Sequence, residues 1–164
     1  MSRWVAIPLL LSIAACSGLT GNARELASAG TALERCSALP APPRESGVCE
    51  AAIEAYRALL DREPRNPRAL HGLALSHVAS GDAEVALPIF AGLEALAPAY
   101  FKSTARDSYH AALERVASER SAEGDPEGAL RLLERIAEGD PKREGLRDRM
   151  SELRSSDSPA SISP

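Results

Sequence analysis

The stretch that decides the fold is residues 67–98, PRALHGLALSHVASGDAEVALPIFAGLEALAP. In its first half, Leu70, Leu73, Ala74 and His77 recur at helical spacing. Gly81-Asp82 then separates this half from the next, because glycine commonly follows a helix and aspartate commonly caps the start of one. A second apolar stripe follows at Ala86, Phe90, Leu93 and Leu96, and Pro98 closes it. This pattern predicts two consecutive helices joined by a short turn.

The same plan recurs on both sides of this stretch. Residues 110–141 repeat it, with a Gly-Asp-Pro turn at 124–126 and a closing Pro141. On the amino-terminal side, residues 23–37 predict one helix, and a second stripe ends before Pro64 (Ala52, Tyr56, Leu59 and Leu60). Residues 142–154 predict a further amphipathic helix. Seven helices are therefore expected.

This arrangement resembles the tetratricopeptide repeat (TPR), a helix-turn-helix unit of about 34 residues. In the central unit, the residues that carry the resemblance are Leu70, Leu73-Ala74, His77, Gly81-Asp82, Ala86, Phe90, Leu93 and Pro98. His77 stands where the family usually has an aromatic residue, and Leu93 stands where it usually has a small one. The resemblance implies an all-α fold over residues 23–154. We expect an α-α superhelix of about three TPR-like helical hairpins plus a C-terminal capping helix.

The resemblance also implies a binding surface, because the first helices of stacked repeats line a concave groove. In this family the groove commonly holds a peptide or a partner helix. The positions it implies here are Arg68, His71, Leu75 and Val78 in the central unit, and Glu114 and Ser118 in the next. At each position the alternative is ordinary exposure to solvent. The expected partner is another protein.

The amino terminus has the pattern of an export signal. Residues 1–15 contain one positive charge, Arg3, followed by an apolar run too short to remain as a membrane anchor. The next four positions, Ile13-Ala14-Ala15-Cys16, resemble the lipobox of bacterial lipoproteins. The resemblance implies cleavage before Cys16, a lipid anchor on its thiol and a lipidated linker at 16–22. The alternative is an ordinary secreted protein that is cut nearby. Ser17, in place of aspartate, favours the outer membrane facing the periplasm.

Two further cysteines, Cys36 and Cys49, flank a segment rich in proline, glycine and serine. An exported chain enters an oxidising compartment, which favours a disulfide that closes this loop. The alternative is two separate buried thiols. A metal site is not expected, because neither a further cysteine nor a nearby histidine supplies more ligands.

Composition and motifs exclude other classes of function. The net charge of −4 argues against nucleic-acid binding, which needs a basic surface. The sequence has three histidines and lacks the H-E-x-x-H, G-x-S-x-G and phosphate-binding glycine motifs, so we expect neither an enzyme nor a cofactor. Residues 155–164, SSDSPASISP, predict a disordered tail.

These patterns together predict a lipid-anchored adaptor or scaffold of the cell envelope. The alternative is a regulatory lipoprotein that binds and controls a cell-wall or signalling enzyme. A lipid-tethered enzyme would need a cleft with paired titratable groups, and no such pair is evident in the sequence.

Overall fold

The computed structural model describes residues 17–39 and 46–156. Within these residues the chain forms seven helices and no strand, so the all-α prediction is confirmed. The helices are α1 (Ser17–Ser37), α2 (Ser46–Arg62), α3 (Pro67–Ser80), α4 (Ala83–Leu96), α5 (Pro98–Ala122), α6 (Pro126–Gly139) and α7 (Leu146–Ser156).

Helices that follow one another along the chain also pack together. The pairs α1 and α2, α3 and α4, and α5 and α6 have the most extensive contacts, together with α2 against α3. Helix α1 also reaches α3, α4 packs against α5, and α7 packs against α6. The helices therefore form a continuous series of neighbouring pairs, with the α3–α4 pair in the middle.

Both ends of the helical region differ from the prediction. Helix α1 begins at Ser17, so residues 17–22 of the segment predicted as a lipidated linker (16–22) are helical. One physical reason is that the Asn22 amide donates a hydrogen bond to the Glu63 carboxylate, which attaches this turn to the end of α2. Helix α7 extends to Ser156, so the predicted tail at 155–164 begins in a helix. Residues 1–16, with the predicted signal peptide and Cys16, and residues 157–164 lie outside the described residues.

Polar side chains and one glycine determine where the central helices start and stop. The Asn66 side chain accepts hydrogen bonds from the backbone N–H groups of Arg68 (3.0 Å) and Ala69 (3.1 Å) at the start of α3. Gly81 ends α3 with φ 104°, a left-handed conformation that favours glycine. Asp125 caps α6 by accepting a 2.8 Å hydrogen bond from the Gly128 N–H. Asp82 holds the equivalent position before α4, but its side chain makes no capping hydrogen bond.

The core consists of two apolar clusters. The larger one joins α3, α4, α5, α6 and α7, and its largest fully buried side chains are Phe90, Leu93, Leu113, Leu133 and Ile136. The smaller one joins α1, α2 and α3 around Tyr56. Ile89 packs against both clusters and so connects them. Each large apolar side chain buried in this way contributes about 1.5–3 kcal/mol to stability.

Helix α5 is continuous but not uniform. Its residues Phe101–Ala105 form a π-helical turn, which is followed by a regular helix from Arg106. Phe101, Ala105 and Tyr109 all face the larger core cluster. The turn therefore aligns one side of α5 with α4 and α6.

None of the single helices within residues 17–39 and 46–156 is both long enough and apolar enough to cross a membrane. By length and composition alone, α4 and α5 meet that requirement as a pair that is bent by 117°.

Candidate protein-binding groove

A groove of about 270 Å³ lies where the end of α1, the end of α3 and the middle of α5 meet. We call it the central groove. The residues that line it are Leu33, Cys36, Ser37, Leu39, Leu75, Val78, Ala79 and Arg115. Three leucines and a valine supply its apolar part, about half of the exposed lining, and Arg115 is the one ionisable side chain among these eight residues.

A disulfide forms one wall of the central groove. Cys36 and Cys49 are joined in the structure, with their Cα atoms 4.8 Å apart, and both residues are buried. The bond connects the end of α1 to the first turn of α2. Because Cys36 itself lines the groove, the disulfide restrains the position of this wall relative to α3.

Arg115 connects α5 to the other side of the groove. Its Nη1 donates a 3.0 Å hydrogen bond to the Val78 carbonyl oxygen, and its Nε donates a 2.9 Å hydrogen bond to the Glu119 carboxylate. The Val78 carbonyl belongs to the last turn of α3, where the helix dipole favours a positive charge. Arg115 therefore holds the middle of α5 at a set separation from the end of α3, and the groove runs between them.

The structure brings only two of the six predicted groove residues into the central groove. Leu75 and Val78 line it directly. Arg68 is exposed at the opposite end of α3, in a separate shallow hollow beside Glu63 and Asn66. A helix of 14 residues is about 21 Å long, so residues near opposite ends of α3 do not share one small pocket.

His71 is packed against its neighbours. Its Nδ1 lies 3.3 Å from the Tyr100 hydroxyl, and its ring centroid is 6.0 Å from the ring centroids of both Phe90 and Tyr100. Burial lowers the pKa of His71, which favours the neutral imidazole. Tyr100, in the first turn of α5, therefore covers the side of His71 that the repeat pattern predicts to contact a partner.

Glu114 and Ser118 contact the C-terminal part of the chain. The Arg143 guanidinium forms an ion pair with the Glu114 carboxylate, and Arg149 of α7 donates a 2.8 Å hydrogen bond to the Ser118 hydroxyl. Ser118 also borders a hollow of about 450 Å³ between α5 and α7. Because Arg115 and Ser118 are three residues apart on α5, this hollow and the central groove lie along one face of that helix.

Five residues of the central groove were not predicted as groove positions, namely Leu33, Cys36, Ser37, Leu39 and Arg115. Leu39 lies after α1, where no apolar period continues. Arg115 is adjacent to Glu114 and three residues from Ser118, so the helical spacing of α5 would have located it. Only a structure reveals that its side chain reaches the end of α3.

The histidines do not form a reactive or metal-binding cluster. His77 is 6% exposed and His110 is 3% exposed, and burial is the main cause that lowers the pKa of each. His77 therefore fills a core position of the central unit, as its place in the pattern predicts. Among residues 17–39 and 46–156, no three His, Cys, Asp or Glu side chains are arranged to hold a metal ion.

No protein-family model matches this sequence, and a search of curated proteins finds no significant relative.

Proposed function

We propose that this protein is a lipid-anchored adaptor of the bacterial cell envelope that binds an extended segment of another envelope protein in the central groove. The observation that carries the proposal is the groove itself. Leu33 from α1 and Leu75 and Val78 from α3 meet there around a space of about 270 Å³, beside the Arg115 guanidinium.

The size and chemistry of the groove favour an extended peptide. An α-helix with its side chains is about 10–12 Å wide and needs a longer trough than this. A volume of about 270 Å³ lies just below the usual range of small-molecule pockets, about 300–1,000 Å³, and suits one or two side chains of a bound chain. Apolar side chains of the partner would be removed from water at about 25 cal/mol per Å² of buried surface.

The same chemistry argues for binding over catalysis at this place. Among the described residues that line the groove, Arg115 is the only ionisable side chain, and both its hydrogen bonds go to groups of this protein. A general acid or base needs a proton-transferring group with a tuned pKa in reach of the substrate. The lining residues of the central groove offer none.

The order of the helices supports a TPR-like arrangement. Helices α1, α3 and α5 are the first members of the three consecutive pairs, and all three contribute to the central groove. In stacked helical repeats the first helices line the concave surface. We infer that the pairs stack in this way and that α7 covers the exposed end of the last pair.

The lipid anchor rests on the Ile13-Ala14-Ala15-Cys16 pattern. Helix α1 begins at Ser17, so a lipid on Cys16 would be joined to the folded region with almost no linker. At 1.5 Å per residue, the distance along α1 from Ser17 to Leu33 is roughly 24 Å. Partners bound in the central groove would therefore be held close to the membrane surface.

Crosslinking in live cells, followed by affinity capture and mass spectrometry, tests this function. Wild type is compared with Cys16→Ala and with Leu75→Ser, and Val85→Ser serves as the matched control because Val85 is an exposed apolar residue of α4. We expect Cys16→Ala to lose membrane association and its partners, and Leu75→Ser to lose the partner while staying at the membrane. Capture of one enzyme in place of a multi-protein assembly would favour the regulatory alternative. Partner lists that are identical for all four proteins would contradict the proposal.

A further inference from the structure

A second cavity, of about 360 Å³, lies where α4, α5 and α6 meet, and we call it the polar pocket. It shares no lining residue with the central groove. Four charged side chains border it, two positive and two negative, which are Arg106, Arg135, Glu94 and Glu138. Its lining therefore carries positive and negative side chains in equal number.

These four charges are not paired with one another. The ion pairs found within residues 17–39 and 46–156 include none of the four, although other arginines and glutamates of α5 and α6 do pair. Arg135 instead lies over the Tyr109 ring, with its Cζ 5.7 Å from the ring centroid, and its side chain donates a hydrogen bond to the Tyr109 hydroxyl. Glu94, Arg106 and Glu138 have no ion-pair partner among the described residues, so the cavity presents charges of both signs to a ligand.

The floor of the polar pocket contains a buried group without a partner. His110 lines the pocket and is 3% exposed, and its Nδ1 has no hydrogen-bond partner among the described residues. A Cβ atom at position 139 would lie 3.2 Å from its Nε2. Gly139 therefore keeps open the space beside the imidazole, because any larger residue there would crowd the ring.

The π-helical turn of α5 contributes to the same pocket. Phe101 is the first residue of that turn, Arg106 directly follows it, and both line the cavity. Such turns are uncommon and occur frequently at functional sites, since they reorient side chains on one face of a helix. Here the turn brings an aromatic wall and a cation to the same opening.

We propose that the polar pocket binds a free α-amino acid. Its carboxylate would contact the Arg106 and Arg135 guanidinium groups, and its ammonium would contact the Glu94 and Glu138 carboxylates. The Phe101 and Tyr109 rings form the apolar wall for the ligand's side chain. A purely anionic or purely cationic ligand would be repelled by the two side chains that carry its own sign of charge. A zwitterion can place each of its charges beside side chains of the opposite sign. The cavity volume is at the small end of the range for ligand pockets, as an amino acid requires.

The test is an NMR titration of the full chain in detergent. The standard amino acids are added one at a time to about 10 mM, a concentration at which millimolar binding is detected. At least one amino acid should shift the amide signals of Arg106 to His110 and of Glu138 and Gly139. Its amide, which lacks the carboxylate, and its N-acetyl derivative, which lacks the ammonium, should each bind about tenfold more weakly or worse. The absence of shifts at the pocket with every amino acid would overturn the proposal, and so would equal binding of the blocked derivatives.

Two pairs of variants make the test specific. Arg135→Gln should weaken binding about tenfold, whereas Arg131→Gln, one turn earlier on α6 and paired with Glu127, should not change it. Gly139→Ala should weaken binding by crowding His110, whereas Gly92→Ala, with open space around it, should not. For each variant, a circular dichroism spectrum with the same helical signal as wild type excludes loss of folding. If Arg131→Gln weakens binding as much as Arg135→Gln does, the pocket is not the site.

Discussion

Gly72→Ala is the substitution that tests the packing of the helices most sharply. Gly72 is a buried residue of α3, and a Cβ atom there would lie 2.2 Å from both Cε1 and Cζ of the Tyr56 ring. Ordinary contact begins at 3.4 Å, so the ring would have to retreat by about 1.2 Å (3.4 − 2.2). Tyr56 is 5% exposed and belongs to the smaller core cluster. The ring is therefore surrounded by other side chains, and its displacement would disturb the packing of that cluster.

The expected loss of stability follows from two opposing terms. Overpacking a buried site costs about 1–3 kcal/mol, and the large displacement required of a buried ring suggests the upper end of that range. Alanine also has a higher helix propensity than glycine, and this offsets about 1 kcal/mol of the overpacking cost. We expect Gly72→Ala to lower the free energy of unfolding by about 2 kcal/mol in urea denaturation followed by circular dichroism.

Two further variants separate packing from propensity. Gly92→Ala on the exposed face of α4 meets no atom within 4 Å, so it should stabilise the protein by up to about 1 kcal/mol. In a Tyr56→Leu background the clash with the ring is absent, so Gly72→Ala should cost nothing or stabilise the protein slightly. If Gly72→Ala is as stable as wild type when Tyr56 is present, the described contact between α2 and α3 is wrong.

Three other predictions concern a helix cap, the disulfide and pH. Asp125→Ala should cost about 1 kcal/mol of unfolding free energy, and Asp82→Ala should cost less, because only Asp125 accepts a capping hydrogen bond. Equal costs would contradict the assigned caps. Thiol titration of the denatured, unreduced Cys16→Ala chain should detect no thiol, and reduction should lower the unfolding free energy by about 3 kcal/mol. Two free thiols would refute the bond. Burial lowers the pKa of His77 and His110 below the 6.5 of an exposed histidine, so the unfolded chain binds protons first. The melting temperature should therefore be highest above about pH 6.5 and fall as the pH drops below it, and His77→Gln should reduce this dependence. A melting temperature that does not change between about pH 7 and pH 5 would contradict the buried neutral histidines.

The helices were predictable because local signals and the apolar period agree. In the central unit, the α3 and α4 boundaries follow Pro67, Gly81-Asp82 and Pro98, where backbone conformation or a missing N–H dictates a break. The start of α1 was not predictable in this way. Residues 17–22 lack a strong apolar period, and their helix is supported by a contact between Asn22 and Glu63, 41 residues away.

The groove was predictable only in part, for a similar reason. Helical spacing identifies which side of α3 carries Leu75 and Val78. It does not reveal that Tyr100 packs on His71 or that Arg143 pairs with Glu114, because both partners come from distant parts of the chain. The polar pocket has no sequence signature, since its charged residues come from three helices and have no common period.

Site-specific photocrosslinking in live cells shows directly whether a partner occupies the central groove. A photoreactive amino acid replaces Leu75 in the central groove or, in the control, Val85, which is 49% exposed on α4. We expect a discrete crosslinked envelope protein from position 75 that is absent from position 85. It should be lost when Leu33→Ser is added, because that change reduces the apolar contact area of the groove. The same crosslinked species from both positions, or no species from position 75 while the protein is folded at the membrane, would contradict the proposed function.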